Sequence, residues 1–153
     1  MSAAESAHGN AATYFVDSHI AVGRAGKLAF REVDGARRSQ TYGELSEASS
    51  RIAGAFAAAG IRRESRAAML CLDTIEYPQP FWGALKAGVV AVPVNTLLSA
   101  SIYDSILRDS RATALFVSAP LYPVVADILA DNPYLRTVVV VGGRAPQGSI
   151  TFE

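Results

Sequence analysis

Four short runs of mainly apolar residues, 67–72, 89–94, 113–117 and 138–141, recur at regular spacing along the chain. Runs that are apolar on both faces are typical of parallel strands covered by helices. The segments between these runs carry apolar residues at helical spacing, which predicts a helix between successive strands. The pattern therefore predicts an α/β fold, a parallel sheet with helices on both faces.

Residues 66–98 contain the most compact of these repeats, and the rest of the chain is placed relative to it. Asp73 and Thr74 close the first run, and their short side-chain oxygens suit a helix N-cap. Gly88 stands where a left-handed C-terminal cap would, immediately before the second run. The stretch predicts a strand, a crossover helix and a parallel strand.

A short helix and a β-hairpin are predicted ahead of the sheet. Asn10 suits the N-cap of a helix ending near residue 23, in which Tyr14, Phe15 and Val22 share an apolar face. Residues 27–33 and 37–41 flank an Asp-Gly turn at 34–36, a common hairpin signal. The predicted subdivision is a mobile tail over 1–9, this helix and hairpin over 10–41, a parallel α/β subdomain over 42–142, and a linker or truncated end over 143–153.

Three further helices follow from capping and periodicity. Thr41 and Glu44 have the spacing of a capping box, which begins a helix that Gly60 ends. A helix over 99–109 is predicted to turn Ile102, Ile106 and Leu107 inward, and another covers 120–131. The apolar stripe predicted on the helix that the capping box begins consists of Leu45, Ala48, Ile52, Ala55, Phe56 and Ala59.

The composition of the chain says more about its partners and location than about its fold. Fourteen basic and fourteen acidic residues cancel, so no electrostatic argument favours nucleic acid or an anionic membrane as a partner. No leader pattern is evident at the N-terminus, which makes the cytoplasm the expected location. The single cysteine, Cys71, is interpreted as a small buried apolar residue, because no cation nearby in sequence would activate it.

Sequence motifs for catalysis are absent. The sequence contains no G-x-x-x-x-G-K-[ST] loop, no G-x-G-x-x-G turn after the first parallel strand and no G-x-S-x-G elbow. Two histidines and one cysteine supply neither a metal site nor a nucleophilic triad. Asp73 is the acid best placed at a strand end, where helix capping is favoured over catalysis. Gly142, Gly143 and Arg144 could approach a phosphate, but a linker is the favoured interpretation.

Several segments carry a resemblance to a known family. They are FWGALKAGVV at 81–90, VPVNTLL at 92–98 and residues 72–74 and 107–112, with TYGEL at 41–45 upstream. Together they resemble the N-terminal part of the acyl-adenylate-forming enzymes, most closely the benzoate-CoA ligase group, over residues 10–141. The resemblance implies an incomplete N-terminal domain of the adenylate-forming ligase fold. The chain departs from the group's usual pattern at Gln79, Pro80 and Ala91.

The resemblance implies a reaction for a longer parent enzyme. An aromatic carboxylic acid would attack ATP, assisted by Mg²⁺, to give an acyl-adenylate and pyrophosphate, and coenzyme A would then displace AMP. The phosphate loop, the aryl pocket and the catalytic lysine of the family have no counterpart here, so the resemblance places no catalytic residue and no metal ligand in this chain. Its only candidate binding residues are Asn95, Thr96 and Leu97, near coenzyme A, for which a simple turn is the favoured alternative.

The resulting hypothesis is that the chain is the N-terminal fragment of an aryl-acid CoA ligase, an ATP-dependent acid-thiol ligase, and is inactive alone. None of the three cofactors, ATP, Mg²⁺ and coenzyme A, is then expected to bind it tightly. Two alternatives remain: a free-standing α/β small-molecule-binding module, and a self-associating module whose apolar surfaces pair between copies.

Overall fold

The computed structural model describes residues 9–152, so the tail predicted over 1–9 lies outside the described residues except for Gly9. The chain forms two compact units. One holds the described residues up to Arg62 together with Thr74–Gly88, and the other holds Arg63–Asp73 together with the described residues from Val89 onward. These units interleave along the sequence, whereas the predicted subdivision followed chain order.

The first unit begins with a helical segment that has a π-helical part, Thr13–Asp17, and an α-helical part, α1, Ser18–Ala21. Asn10 caps it as predicted, because its Oδ1 accepts a hydrogen bond from the Ala12 amide at 2.9 Å. The predicted apolar face is wrong: Ala12 and Val16 are buried, whereas Tyr14, Phe15 and Val22 are exposed. The wider π-helical turn changes which side chains share a face.

The predicted hairpin is confirmed. Strand β1, Leu28–Arg31, pairs antiparallel with β2, Ser39–Thr41. The turn contains Gly35 at φ +61°, a left-handed conformation that glycine adopts without strain. The Arg37 amide donates to the Asp34 carbonyl at 3.2 Å within this turn.

Helix α2, Tyr42–Ala58, starts at the predicted capping box. The Glu44 amide donates to Thr41 Oγ1 at 3.3 Å, and the Thr41 amide donates to Glu44 Oε2 at 2.8 Å. Of the predicted stripe, Leu45, Ala48 and Phe56 are buried and Ile52 is half-buried, whereas Ala55 and Ala59 are exposed. The helix is therefore covered on a narrower face than its sequence suggested.

Helix α3, Pro78–Ala87, packs on α2 within the first unit. The expectation that Asp73 or Thr74 caps this helix is wrong, since Tyr77 precedes its first turn and residues 71–77 form a loop. Prolines at 78 and 80 explain the late start, because proline fits the first helical turn, where its missing N–H costs no hydrogen bond. Gly88 ends the helix at φ +70°, the left-handed cap that was predicted.

The second unit contains a sheet of five strands: β3 Arg66–Leu70, β4 Val90–Pro93, β5 Ala114–Ser118, β6 Thr137–Val141 and β7 Ile150–Thr151. All neighbouring strands are parallel, and their order is β4-β3-β5-β6-β7. Ala68 of the inner strand β3 lies opposite Val92 on one side and Leu115 on the other. The predicted parallel sheet is thus confirmed.

Strand β7 lies in the segment interpreted as a linker, where Ile150 pairs with Val139 of β6. Helices α4, Ala100–Ser110, and α5, Tyr122–Leu129, belong to the same unit, and a 3₁₀ turn, Ala119–Leu121, leads into α5. The linker segment therefore contributes to the sheet instead of leaving it directly.

Mainly aliphatic side chains form the core of the second unit. Leu107 is buried as predicted, but Ile102 is 46% exposed and Tyr103 takes the inward position at 3%. Tyr103 and Leu107 are four residues apart and so lie on one face of α4. The buried cluster consists of Ala68, Leu70, Tyr103, Leu107, Ala112, Leu115, Val117, Val125 and Val140.

Candidate functional site

The loop that follows β4 contains the three residues selected from sequence, Asn95, Thr96 and Leu97. Asn95 Oδ1 accepts from the Leu97 amide at 2.8 Å, which closes an Asx turn. Asn95 and Leu97 are exposed, Leu97 to 90%, while Thr96 is half-buried. The loop carries no ionisable side chain, so it can offer hydrogen bonds and apolar contact but no charge to neutralise a phosphate.

Tyr103 of α4 anchors this loop through two hydrogen bonds to its backbone. Its hydroxyl donates to the Asn95 carbonyl at 3.1 Å and accepts from the Leu98 amide at 3.0 Å. Because Tyr103 is itself buried in the core, these two hydrogen bonds tie the loop to the buried cluster of the second unit. Sequence reasoning missed this role, because no local pattern pairs Tyr103 with the loop at 95–98.

The strand ends of the second unit contain a thiol and a hydroxyl, neither of them arranged for catalysis. Ser118 Oγ, at the end of β5, accepts from the Leu72 amide at 2.9 Å. Burial raises the pKa of Cys71 to about 12, a shift that a hydrogen bond with Ser118 only partly opposes. A thiol with this pKa stays protonated at neutral pH, so the interpretation of Cys71 as a buried structural residue is confirmed.

Gly143, considered as a possible phosphate contact, is required for packing. A Cβ at this position would lie 2.5 Å from the Ala119 Cβ, which leaves no room for any side chain. Asp73 is exposed in the loop after β3. Across residues 9–152, no group of three His, Cys, Asp or Glu side chains is placed to hold a metal ion.

An ion-pair network that sequence reasoning missed lies in the first unit. The Arg38 guanidinium contacts Glu32 at 2.6 Å and also pairs with Glu76, and Glu32 Oε1 accepts from the Ile75 amide at 3.1 Å. The hydrogen bond from Arg38 lowers the pKa of Glu32 to about 2. Burial pulls the pKa of Glu76 upward, but hydrogen bonds from Arg38 and Thr74 outweigh it, so that pKa is also lowered.

Arg38, Ile75 and Glu76 line one side of an open polar cleft of about 590 Å³. Gln40 and the ion pair between Arg51 and Glu47 also line it. Because the glutamates are bonded to arginines of the same unit, the network is satisfied internally and stabilises the hairpin against the segment before α3. Glu32 is 6 positions from Arg38 and 44 positions from Glu76 in the sequence, so no local motif predicts this ion-pair network.

Lys86 makes a second polar network in the first unit. Its Nζ donates to Asp17 Oδ1 at 2.7 Å, to the Ser46 carbonyl at 3.1 Å and to Ser50 Oγ at 3.0 Å. The Lys86 side chain is only 11% exposed. The Lys86 ammonium therefore links the N-terminal helical segment, α2 and α3, and its role is structural.

Comparison with solved structures identifies the class of protein. The fold is that of the adenylate-forming CoA ligases. The structure of the anthranilate CoA ligase AuaEII in complex with anthranoyl-AMP matches 98% of this chain and 28% of its own, with a TM-score of 0.85 and 30% identity. A benzoate CoA ligase from Burkholderia xenovorans LB400 matches 92% of this chain and 27% of its own, with a TM-score of 0.78 and 35% identity.

Residues 18–151 match the model of the AMP-binding enzyme family, and the chain belongs to that family. The 4-hydroxybenzoate–CoA/benzoate–CoA ligase of Rhodopseudomonas palustris is 44% identical over 133 residues, which are 87% of this chain and 24% of that ligase. The benzoate–CoA ligase of Thauera aromatica is 37% identical over 88% of this chain and 25% of its own length. The chain thus spans about a quarter of the length of these relatives. None of its described helices is long and apolar enough to cross a membrane.

Proposed function

We propose that the chain is the N-terminal portion of a benzoate-type CoA ligase and acts as scaffold for it. The parent enzyme converts an aromatic acid, ATP and coenzyme A to the acyl-CoA, AMP and pyrophosphate through an acyl-adenylate, with Mg²⁺ assisting the phosphoryl chemistry. Its location is the cytoplasm, where ATP and coenzyme A are available. The observation that carries the proposal is 44% identity to a benzoate-activating ligase over 87% of the chain.

The chemistry of the described residues supports a scaffold role for the chain alone. Lys86, the cation most enclosed in the first unit, is bonded to Asp17, and Arg38 is bonded to two glutamates. The buried thiol of Cys71 is protonated. Neither these cations nor this thiol is therefore free to bind a nucleotide or attack a carboxylate.

A chimera tests the proposal. The matched quarter of the R. palustris ligase is replaced by this chain, and benzoate-dependent release of AMP and formation of benzoyl-CoA are measured. We expect activity within about tenfold of the parent ligase, because scaffold exchange leaves the transition-state contacts in place. The ligase with the quarter deleted and the isolated chain, as controls, should give no turnover. A folded but inactive chimera, or turnover by the pure isolated chain, would refute the proposal.

Within the parent enzyme, we propose that Asn95, Thr96 and Leu97 lie close to coenzyme A. In the chimera, Leu97→Ser should raise the KM for coenzyme A several-fold and leave the KM for benzoate unchanged. Val33→Ser is the matched control, since Val33 is 80% exposed in the hairpin and Leu97 is 90% exposed. An unchanged KM for coenzyme A would remove the loop from the binding site. Calorimetric titration of the isolated chain with ATP tests the alternative that the chain is a free-standing binding module. Tight binding of ATP would favour that alternative over the scaffold role.

A further inference from the structure

The N-terminal helical segment is apolar on two faces. On one face Ala12 and Val16 are 0% and 1% exposed, so they complete the packing of the first unit. On the other, Tyr14 and Phe15 are 61% and 57% exposed. A surface helix of a self-contained domain usually has one apolar stripe, and a helix that is apolar on several sides is usually covered on all of them.

The exposed face continues into α3 through ring contacts. The centroids of Tyr14 and Phe15 are 4.9 Å apart, those of Phe15 and Trp82 are 6.2 Å apart, and those of Phe81 and Trp82 are 5.3 Å apart. We call these four residues the aromatic cluster. Trp82 and Phe81 are half-buried, so the cluster is a continuous apolar surface and not a set of scattered side chains.

The composition of the aromatic cluster is that of an interface core. Tyrosine, tryptophan and phenylalanine are enriched at the centres of protein interfaces, and charged residues are depleted there. The charged residues that follow the cluster on its two helical segments are Asp17 and Lys86, and they are bonded to each other at 2.7 Å. No free charge from this pair opposes an apolar partner.

We propose that the aromatic cluster is the docking surface for the part of the ligase polypeptide that lies outside the matched quarter. The inference rests on the proposed function. The two benzoate-activating relatives have about three quarters of their length outside the match, which is ample material to cover the cluster. A second copy of this chain would instead need a cluster complementary to itself across a twofold axis.

The test compares one double substitution in two contexts. Tyr14→Ser with Phe15→Ser should shift the melting temperature of the isolated chain by less than about 2 °C, because both side chains are more than half exposed. In the chimeric ligase the same change should lower the melting temperature by at least about 5 °C, because the cluster is buried there. Val33→Ser, at a residue that is 80% exposed, should have little effect in either context.

The outcomes separate this inference from the proposed function. If the wild-type chimera is active but tolerates the double substitution as well as the isolated chain does, the docking surface is refuted and the proposed function stands. If the wild-type chimera folds and is inactive, the proposed function fails and the inference falls with it. If sedimentation shows a dimer of the isolated chain that the double substitution dissociates, a second copy is the occupant and the inference is overturned.

Discussion

The contact between α2 and α3 at Gly83 allows a quantitative test of the packing. A Cβ added at Gly83 would lie 2.7 Å from both Cβ and Cγ2 of Ile52 and 3.0 Å from the Ser49 carbonyl oxygen. None of these atoms is at the free end of a flexible side chain, so Gly83→Ala forces the two helices apart. Overpacking of this kind costs about 1–3 kcal/mol.

Gly54 provides the matched control. It is an exposed glycine in the interior of α2, and no atom lies within 4 Å of a Cβ placed there. Alanine is favoured over glycine in a helix interior by about 1 kcal/mol. Gly54→Ala should therefore stabilise the chain by that amount. Gly83→Ala should gain the same stabilisation from helix propensity but be destabilised by the overpacking. The difference between the two variants isolates the steric cost.

Thermal and urea unfolding followed by far-ultraviolet circular dichroism measure both variants. For a chain of this length, about 1 kcal/mol corresponds to a shift in melting temperature of about 2–4 °C. We expect Gly54→Ala to melt above the wild type, and Gly83→Ala to melt about 2–12 °C below Gly54→Ala. Both glycines belong to the same unit, so the comparison does not depend on how the two units unfold. Equal stabilisation by the two alanines would refute the close helix contact.

Three further measurements test the polar groups. Lys86→Met keeps the apolar stem of the side chain but leaves the Asp17 carboxylate without its ammonium partner. Because Asp17 is a third exposed, we expect the free energy of unfolding to fall by about 1–3 kcal/mol, and an unchanged melting temperature would contradict this. Arg38 lowers the pKa of Glu32 from 4.5 to about 2, so the stabilisation of the fold by this ion pair is complete above pH 4.5 and disappears as the pH falls towards 2. The melting temperature of the wild type should therefore exceed that of Glu32→Gln by less and less over that pH range. A difference that stays constant with pH would contradict the ion pair. The Cys71 thiol, with its pKa raised to about 12, should react with a disulfide reagent at pH 8 at least about 100-fold more slowly in the folded chain than in urea, and equal rates would contradict its burial.

The parts of the fold that were predicted correctly have causes close together in the sequence. The capping box needs only Thr41 and Glu44, three residues apart, and the hairpin needs the Asp-Gly pair at 34–35. The buried strands appear as apolar runs because both faces of a parallel strand are covered. In each case the residues that decide the structure are neighbours along the chain or share one period.

The parts that could not be predicted depend on pairing between distant residues. Lys86 meets Asp17 across 69 positions, and Arg38 meets Glu76 across 38. Periodicity assigns a charged residue to a polar face, but it does not say which opposite charge that face will meet. The candidate loop shows the same limit. Its residues were selected by family resemblance, whereas the side chain that anchors it is that of Tyr103, whose hydroxyl donates to the Asn95 carbonyl eight positions earlier.

The N-terminal helical segment shows a different limit of sequence reasoning. Its periodicity identified Tyr14 and Phe15 as an apolar face, and the structure buries Ala12 and Val16 instead. Apolar periodicity records that a face avoids water but does not identify the surface that covers it. Exposing most of two aromatic side chains forfeits the hydrophobic stabilisation that their burial would supply, about 25 cal/mol for each Å². An apolar face that the chain itself leaves open therefore favours a partner outside this chain, and the matching ligases contain about three times as much polypeptide from which that partner can come.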